Sequence, residues 1–355
     1  MATESDVLTL EKAISKHASD RPPPGQGRRF PKHLVDKYDV KFLLGQGGSS
    51  TVWRCVHRGT GKVRAVKKID TTELPPREIA HEVSLMRLLR NPNVVRCYDV
   101  FLEAQYVNIV IDMFAGGDLV DGFNLYRRSY SRLPDALLAH LSRQMVAAVS
   151  HMHSLKVIHR DIKGENFLCD RPDIGDPKCT IALADFGTAA RTSPGEQKVD
   201  QLGTPAFWAP EVWKGRYNSL VDVWAIGVTA YILLMGRLPF EGEEDICKPV
   251  TDATPAFAVP SYASEACVDF LSRSMAKSPK DRPSSSKLAK HSWLETPPTW
   301  HDRPQQRTDP APRTGQPIKT AKAKDPLDLL GDAVLSCFDG LALWLENIMQ
   351  PKQAS

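Results

Sequence analysis

The sequence has 355 residues, 42% of them hydrophobic and 25% charged, with a formal net charge of +4. That is an ordinary globular composition, with length enough for two lobes or two domains around a buried core. So small a net charge does not mark a nucleic-acid binder or a membrane-surface protein, both of which concentrate basic residues.

The first residues, Met1-Ala2-Thr3-Glu4-Ser5-Asp6, lack the basic-then-apolar layout of a secretory leader, and Ala2 stands where myristoylation needs glycine. Residues 1–37 read as a tail. In it a short helical piece on Val7, Leu8, Leu10 and Ile14 leads into Pro22-Pro23-Pro24-Gly25, which cannot hold a helix. From Tyr38 to Ile69 short runs rich in Val, Phe and Leu alternate with glycines, and these predict antiparallel strands. Glu78–Leu89 places Ile79, Val83, Met86 and Leu89 at helical spacing before Asn91-Pro92-Asn93 ends it. Two more strand-like runs follow, Val94–Phe101 and Val107–Met113. The remainder is mostly helical. Leu137–His153 is a good example, with Leu138, Leu141, Met145, Ala148, Val149 and Met152 on one stripe.

The expected fold class is therefore α+β, a small antiparallel-sheet lobe followed by a larger helical lobe. The compact region closes near Trp293, and residues 295–325, rich in Pro, Thr and Gln, read as a linker. Within 326–350, Leu327, Leu330, Val334, Phe338, Leu341, Leu345 and Ile348 recur every three or four residues opposite Asp328, Asp332, Asp339 and Glu346. That is an amphipathic helix. No apolar run is long enough to cross a bilayer, and the odd count of seven scattered cysteines reads as free thiols. The expectation is an intracellular, cytoplasmic protein; a nuclear one fits the same signals.

Several runs carry chemistry. Gly45-Gln46-Gly47-Gly48-Ser49-Ser50-Thr51-Val52 joins two predicted strands, where glycines let backbone N–H groups approach phosphate oxygens. Ser50 occupies the place of a third glycine in G-x-G-x-x-G. Lys67 ends the apolar strand Ala65-Val66-Lys67 and needs an acidic partner, which Glu82 on the next helix can supply. More specific is His159-Arg160-Asp161-Ile162-Lys163-Gly164-Glu165-Asn166, on a loop after a long helix. Phosphoryl transfer to a hydroxyl needs a carboxylate to orient the acceptor, a cation for the developing charge and a metal-binding amide. Asp161, Lys163 and Asn166 are those three groups. Asp185-Phe186-Gly187 adds a carboxylate for Mg²⁺, and Ala209-Pro210-Glu211 closes the series.

With these motifs in order, residues 38–294 resemble a complete eukaryotic Ser/Thr protein kinase domain. The resemblance implies a bilobal fold, with ATP in the cleft between the lobes and Mg²⁺ as second cofactor. It implies catalytic roles for Asp161 as base, for Lys163 on the γ-phosphate and for Asn166, with Asn166 and Asp185 as metal ligands. The implied cofactor-binding residues are Leu44, Gly45, Gly47, Val52, Ala65, Lys67, Glu82, Asp112, Phe114, Asp118, Leu168 and Asp185. Asp112-Met113-Phe114 would be the hinge and Ile111 the gatekeeper. Glu211 would pair with Arg282, and Asp222 would anchor the catalytic loop.

Tyr231–Phe240 and the ending His291-Ser292-Trp293 are similar to the calcium/calmodulin-dependent group, including calcium-dependent kinases, although the sequence contains no EF-hand loop. Asp170–Cys179 lengthens the loop before Asp185, and the region from Ile246 to Pro260 fits the group loosely. Relatives with an arginine before the base usually need an activation-loop anion. Asp200, four residues before Thr204, is a built-in carboxylate at that place. Asp118 and Glu165 stand where basophilic relatives bind an arginine, which points to protein substrates with R-x-x-[S/T] sites. The acidic C-terminal helix does not match basic calmodulin targets, so it is expected to dock on the kinase domain itself or on a partner. The two competing readings are a nucleotide-binding pseudokinase and an interaction protein built around that helix.

Overall fold

The structure is a computed structural model that describes residues 4–19, 32–46, 50–103, 105–193, 195–240, 243–247 and 258–297. Gly47, most of the 295–325 segment and the whole of 326–350 lie outside the described residues.

Five strands form one sheet: β1 Tyr38–Gln46, β2 Ser50–His57, β3 Val63–Asp70, β4 Cys97–Leu102 and β5 Tyr106–Ile111. Their order is β1-β2-β3-β5-β4, and every pairing is antiparallel. The β1–β2 register sets Gly45 opposite Val52, and β2–β3 sets Val52 opposite Lys67, so these three residues lie in one row across the sheet. Between β3 and β4 the chain forms helix α3, Pro76–Leu88, with proline in its first turn, where the missing N–H costs nothing.

Two helices precede the sheet, α1 Glu4–Ser19 and α2 Lys32–Lys37. The segment that reads as a tail is thus helical at both ends. Leu34 of α2 is fully buried with Tyr38, Cys55, Val66 and Val110 under the sheet. Helix α1 packs on α3 and β4.

The second lobe is helical, as its sequence pattern indicates. Its main elements are α4 Leu119–Ser129, α5 Asp135–Ser154, α7 Leu220–Met235 and α9 Glu265–Ser274, with shorter helices α6 Pro210–Trp213, α8 Glu243–Cys247 and α10 Ser285–Leu288. Helix α7 is buried almost all round, from Val221 to Tyr231, and forms the lobe's axis. The lobe also holds four short strands: β6 Val157–Ile158 pairs with β9 Ala190–Arg191, and β7 Phe167–Cys169 with β8 Ile181–Leu183. One apolar core runs through both lobes, from Ile69 and Val83 to Trp224 and Phe270. No helix among the described residues is long and apolar enough to cross a membrane.

Candidate active site

The motif residues converge on the boundary between sheet and helices. Lys67 on β3 donates from Nζ to Glu82 Oε1 on α3 at 2.8 Å. Burial works against the Lys67 charge, but Glu82 and then Asp185 outweigh it, so its pKa is raised and the ammonium stays charged. His81, the neighbour of Glu82, makes a second link: its Nε2 lies 2.9 Å from the carbonyl of Ala189, just past Asp185-Phe186-Gly187.

The loop after β6 is held from below. Asp222, 1% exposed at the start of α7, accepts the backbone N–H of His159 and of Arg160, each at 2.9 Å, and bonds His153 Nε2 at 2.8 Å. Burial raises its pKa, but the His153 bond and charge outweigh that, and the carboxyl stays ionised. Fixed there, Arg160 takes a left-handed backbone (φ +72°), as does Asp185 (φ +58°). Non-glycine residues rarely adopt that conformation, and it persists only where surrounding bonds impose it.

Asp161 sits at the centre of a hydrogen-bonded set. Its Oδ1 accepts from Thr204 N at 2.9 Å and Thr204 Oγ1 at 2.8 Å, while Oδ2 lies 3.0 Å from Lys163 Nζ and 3.2 Å from Asn166 Nδ2. Lys163 also donates to Thr204 Oγ1 at 2.8 Å, so Asp161, Lys163 and Thr204 close a ring. Burial raises the Asp161 pKa, but Lys163 and the Thr204 bond more than reverse it, and the group is an acceptor at neutral pH. Thr204 approaches only because Gly203 precedes it: at φ +89°, a Cβ there would lie 2.2 Å from the Arg160 carbonyl oxygen. In the sequence nothing marks Thr204 for this role, because a threonine after a glycine is too common a pair to announce itself.

The other predicted residues that the structure describes lie on both lobes. Ala65 pairs with Ile111 across β3 and β5 and is buried, while Leu44 is 40% exposed and Val52 and Leu168 are half-buried. The Asp112 carboxylate turns to β4, accepting from Tyr98 Oη at 2.8 Å and Arg96 N at 3.2 Å. Its side chain is therefore engaged elsewhere, and a hinge role rests on backbone groups. Phe114 packs half-buried against the main core, and the chain then crosses to the helical lobe through Gly116 and Gly117, which bond Cys169. Asp118 bridges to Leu168 and caps α4, accepting Asp121 N at 2.9 Å. Burial, with Asp121 and Glu165 nearby, pushes its pKa up to about 6. Glu165 keeps one buried oxygen without a hydrogen-bond partner. Arg282 is fully buried and clasps Glu211 through two bonds, at 2.6 and 3.2 Å. The Asp170–Cys179 insertion folds on itself through Arg171, which pairs with Asp170 and Asp176.

The donor set suits a nucleotide with a hard cation. Asn166 donates through Nδ2, which leaves its amide oxygen to accept, and the Asp185 carboxylate is exposed. One carboxylate, one amide oxygen and substrate phosphates are how Mg²⁺ is commonly held, without an all-protein cage. Accordingly, no cluster of three or more His, Cys, Asp or Glu side chains arranged for a metal occurs among the described residues.

A model of the protein kinase domain matches residues 38–294. The chain belongs to the protein kinase domain family. It is 32% identical over 276 residues to a probable myosin light chain kinase of Dictyostelium discoideum, a match covering 76% of this chain and 69% of that protein. It is 32% identical over 294 residues to the serine/threonine-protein kinase H1 homolog of Danio rerio, covering 78% and 68%. It is 35% identical over 286 residues to calcium-dependent protein kinase 27 of Oryza sativa subsp. japonica, covering 78% of this kinase and 46% of that one. The chain is thus a serine/threonine protein kinase, transferring phosphoryl from ATP to protein, as its catalytic loop implies. The expected bilobal architecture is the one observed.

Proposed function

We propose that this kinase phosphorylates serine or threonine in basic R-x-x-[S/T] sequences, using Asp161 as base and Lys163 to steady the transferred group. Asn166 and Asp185 would hold Mg²⁺, and Lys67, kept in place by Glu82, would bind the α/β-phosphates. When bound, Mg²⁺-ATP supplies the phosphoryl group and offsets the charge that develops on its oxygens. The observation that carries this reading is the closed Lys67–Glu82 pair at 2.8 Å, since a kinase with that pair broken is not assembled for transfer. Asp161 then orients the acceptor hydroxyl through its ionised carboxylate, and Thr204 and Lys163 hold that carboxylate in position.

The substrate preference is supported by Asp118 and Glu165. An unpartnered buried carboxylate oxygen beside a second carboxyl with a raised pKa is an arrangement that a guanidinium would relieve. The pairing of Arg160 with Asp200 at 3.4 Å supports activity without activation-loop phosphorylation. Residues 326–350 would act as a docking helix for the kinase domain or a partner, reached through the 295–325 linker.

Transfer of labelled phosphate to a basic peptide by wild type and Asp161→Asn tests the central claim. Wild type is expected to exceed the variant by about a hundredfold or more. Equal rates, or nucleotide binding with no transfer, would favour the pseudokinase reading.

A further inference from the structure

Helix α3 carries Glu82, and its burial pattern is unusual for a helix resting on a sheet. A helix covered on one side buries three or four residues in two turns. Here Ile79, Ala80, Glu82, Val83, Ser84, Leu85 and Met86 are all buried. On a helix those residues make separate stripes, Ile79-Val83-Met86, Ala80-Ser84 and Glu82-Leu85, so more than one flank is covered. The sheet accounts for one flank. The second cover is α1, which packs on both α3 and β4.

The face that α1 buries is apolar. Ile14 is 1% exposed and belongs to the same core cluster as Ile79, Val83 and Met86, with Val7 and Leu10 partly buried against it. Positions 7, 10 and 14 form one helical stripe, and Leu8, on the other side, is 50% exposed. Besides the sheet, helix α3 is held by α1, by the Lys67–Glu82 pair and by His81 on the Ala189 carbonyl. The last two are polar contacts, which water can replace. The α1 contact is apolar and lies outside the site.

We infer that α1 is a built-in positioning element, with Ile14 as its anchor, holding α3 where Glu82 meets Lys67. It acts through Glu82 and touches neither nucleotide nor acceptor. The inference rests on the proposed role of the Lys67–Glu82 pair, and the two are separable by a double-mutant cycle.

Ile14→Asp, Glu82→Gln and the double variant would be compared with wild type for kcat and KM, with Leu8→Lys as surface control. Ile14→Asp is expected to lower kcat about tenfold with little change in peptide KM. The same change in the Glu82→Gln background should add less than about twofold, because the contact it protects is already gone. If Glu82→Gln itself keeps wild-type kcat, the premise is wrong and the inference falls with it. If Glu82→Gln is slow but Ile14→Asp is not, or if the two losses simply multiply, α1 is overturned while the site reading stands. Should Ile14→Asp misfold, the full chain carrying Ile14→Ala takes its place, with a melt to show that it is folded. A kcat lowered several-fold supports the inference, and a kcat equal to wild type refutes it.

Discussion

Replacing Asp200 by asparagine tests whether the activation segment supplies its own anion. Arg160 adjoins the proposed base, and its side chain is only 9% exposed, so an uncompensated guanidinium there would strain the loop. Its Nε donates to the Thr188 carbonyl at 2.6 Å, and its Nη1 reaches Asp200 at 3.4 Å. Asp200, by contrast, is 61% exposed and makes one long contact. That places the pair with surface ion pairs, worth about 0–1 kcal/mol, rather than with buried ones. The Tyr217 hydroxyl donates to the Asp200 backbone carbonyl at 2.6 Å, a bond that survives loss of the carboxylate and keeps the segment on its path. Asp200→Asn is therefore expected to lower kcat/KM by no more than about fivefold, the factor that corresponds to roughly 1 kcal/mol. The assay uses protein from bacteria, shown by intact mass to carry no phosphate, on a basic peptide, with a Thr192→Ala/Ser193→Ala variant alongside. Phosphate-free wild type and the double variant should both be active. A protein inert until Thr192 or Ser193 is phosphorylated would refute the reasoning, and a hundredfold loss in Asp200→Asn would show that the exposed pair has been undervalued.

Two further outcomes follow from buried charge. Burial lifts the Asp118 carboxyl to about 6, so it is charged above that pH and neutral below it. KM for a peptide with arginine three residues before the acceptor should rise as pH falls through about 6, and KM for the matching alanine peptide should not; parallel curves would remove Asp118 from substrate recognition. Glu211→Ala strands the fully buried Arg282, whose remaining acceptors are the carbonyls of Leu220 and Ala276. Breaking such a pair costs about 3–5 kcal/mol, which in a domain of this size lowers Tm on the order of ten degrees. A melt within two degrees or so of wild type would mean that water or a shifted side chain replaces the lost carboxylate.

The catalytic loop was legible because its residue types are rare in that order and lie close together in the chain. Its supports were less so, since they depend on distant contacts. Thr204 reaches Asp161 across 43 residues and His81 reaches Ala189 across 108, and neither residue type is unusual where it stands. Element boundaries slipped for physical reasons too. The apolar run from Val94 reads as strand throughout, yet β4 begins at Cys97, because Val94 bridges to Leu183 and Val95 donates to the Leu183 carbonyl. Those two valines serve the helical lobe, and local pattern does not say which partner an extended segment will choose. The helix on Val7, Leu10 and Ile14 was visible as an apolar stripe, but a stripe does not name what covers it.

That last gap bears on how the site works. Three polar contacts at the site join separate elements: Lys67 to Glu82 ties β3 to α3, His81 to Ala189 ties α3 to the segment after Asp185, and Thr204 to Asp161 ties the activation segment to the catalytic loop. Such bonds are short-ranged and can be exchanged for water, so each contributes only about 0.5–1.5 kcal/mol net, or up to about 3 where a charge is involved. Apolar burial, with about 25 cal/mol per Å² of area removed from water, is what makes one arrangement persist. Asp222 and α7 provide that rigidity beneath the catalytic loop, where the helix is buried almost all round. For α3, which has the sheet on one flank only, the equivalent support must come from whatever covers the other, and in this chain that is α1. The position of Glu82 is thus decided as much by residues 7–14 as by Lys67 itself.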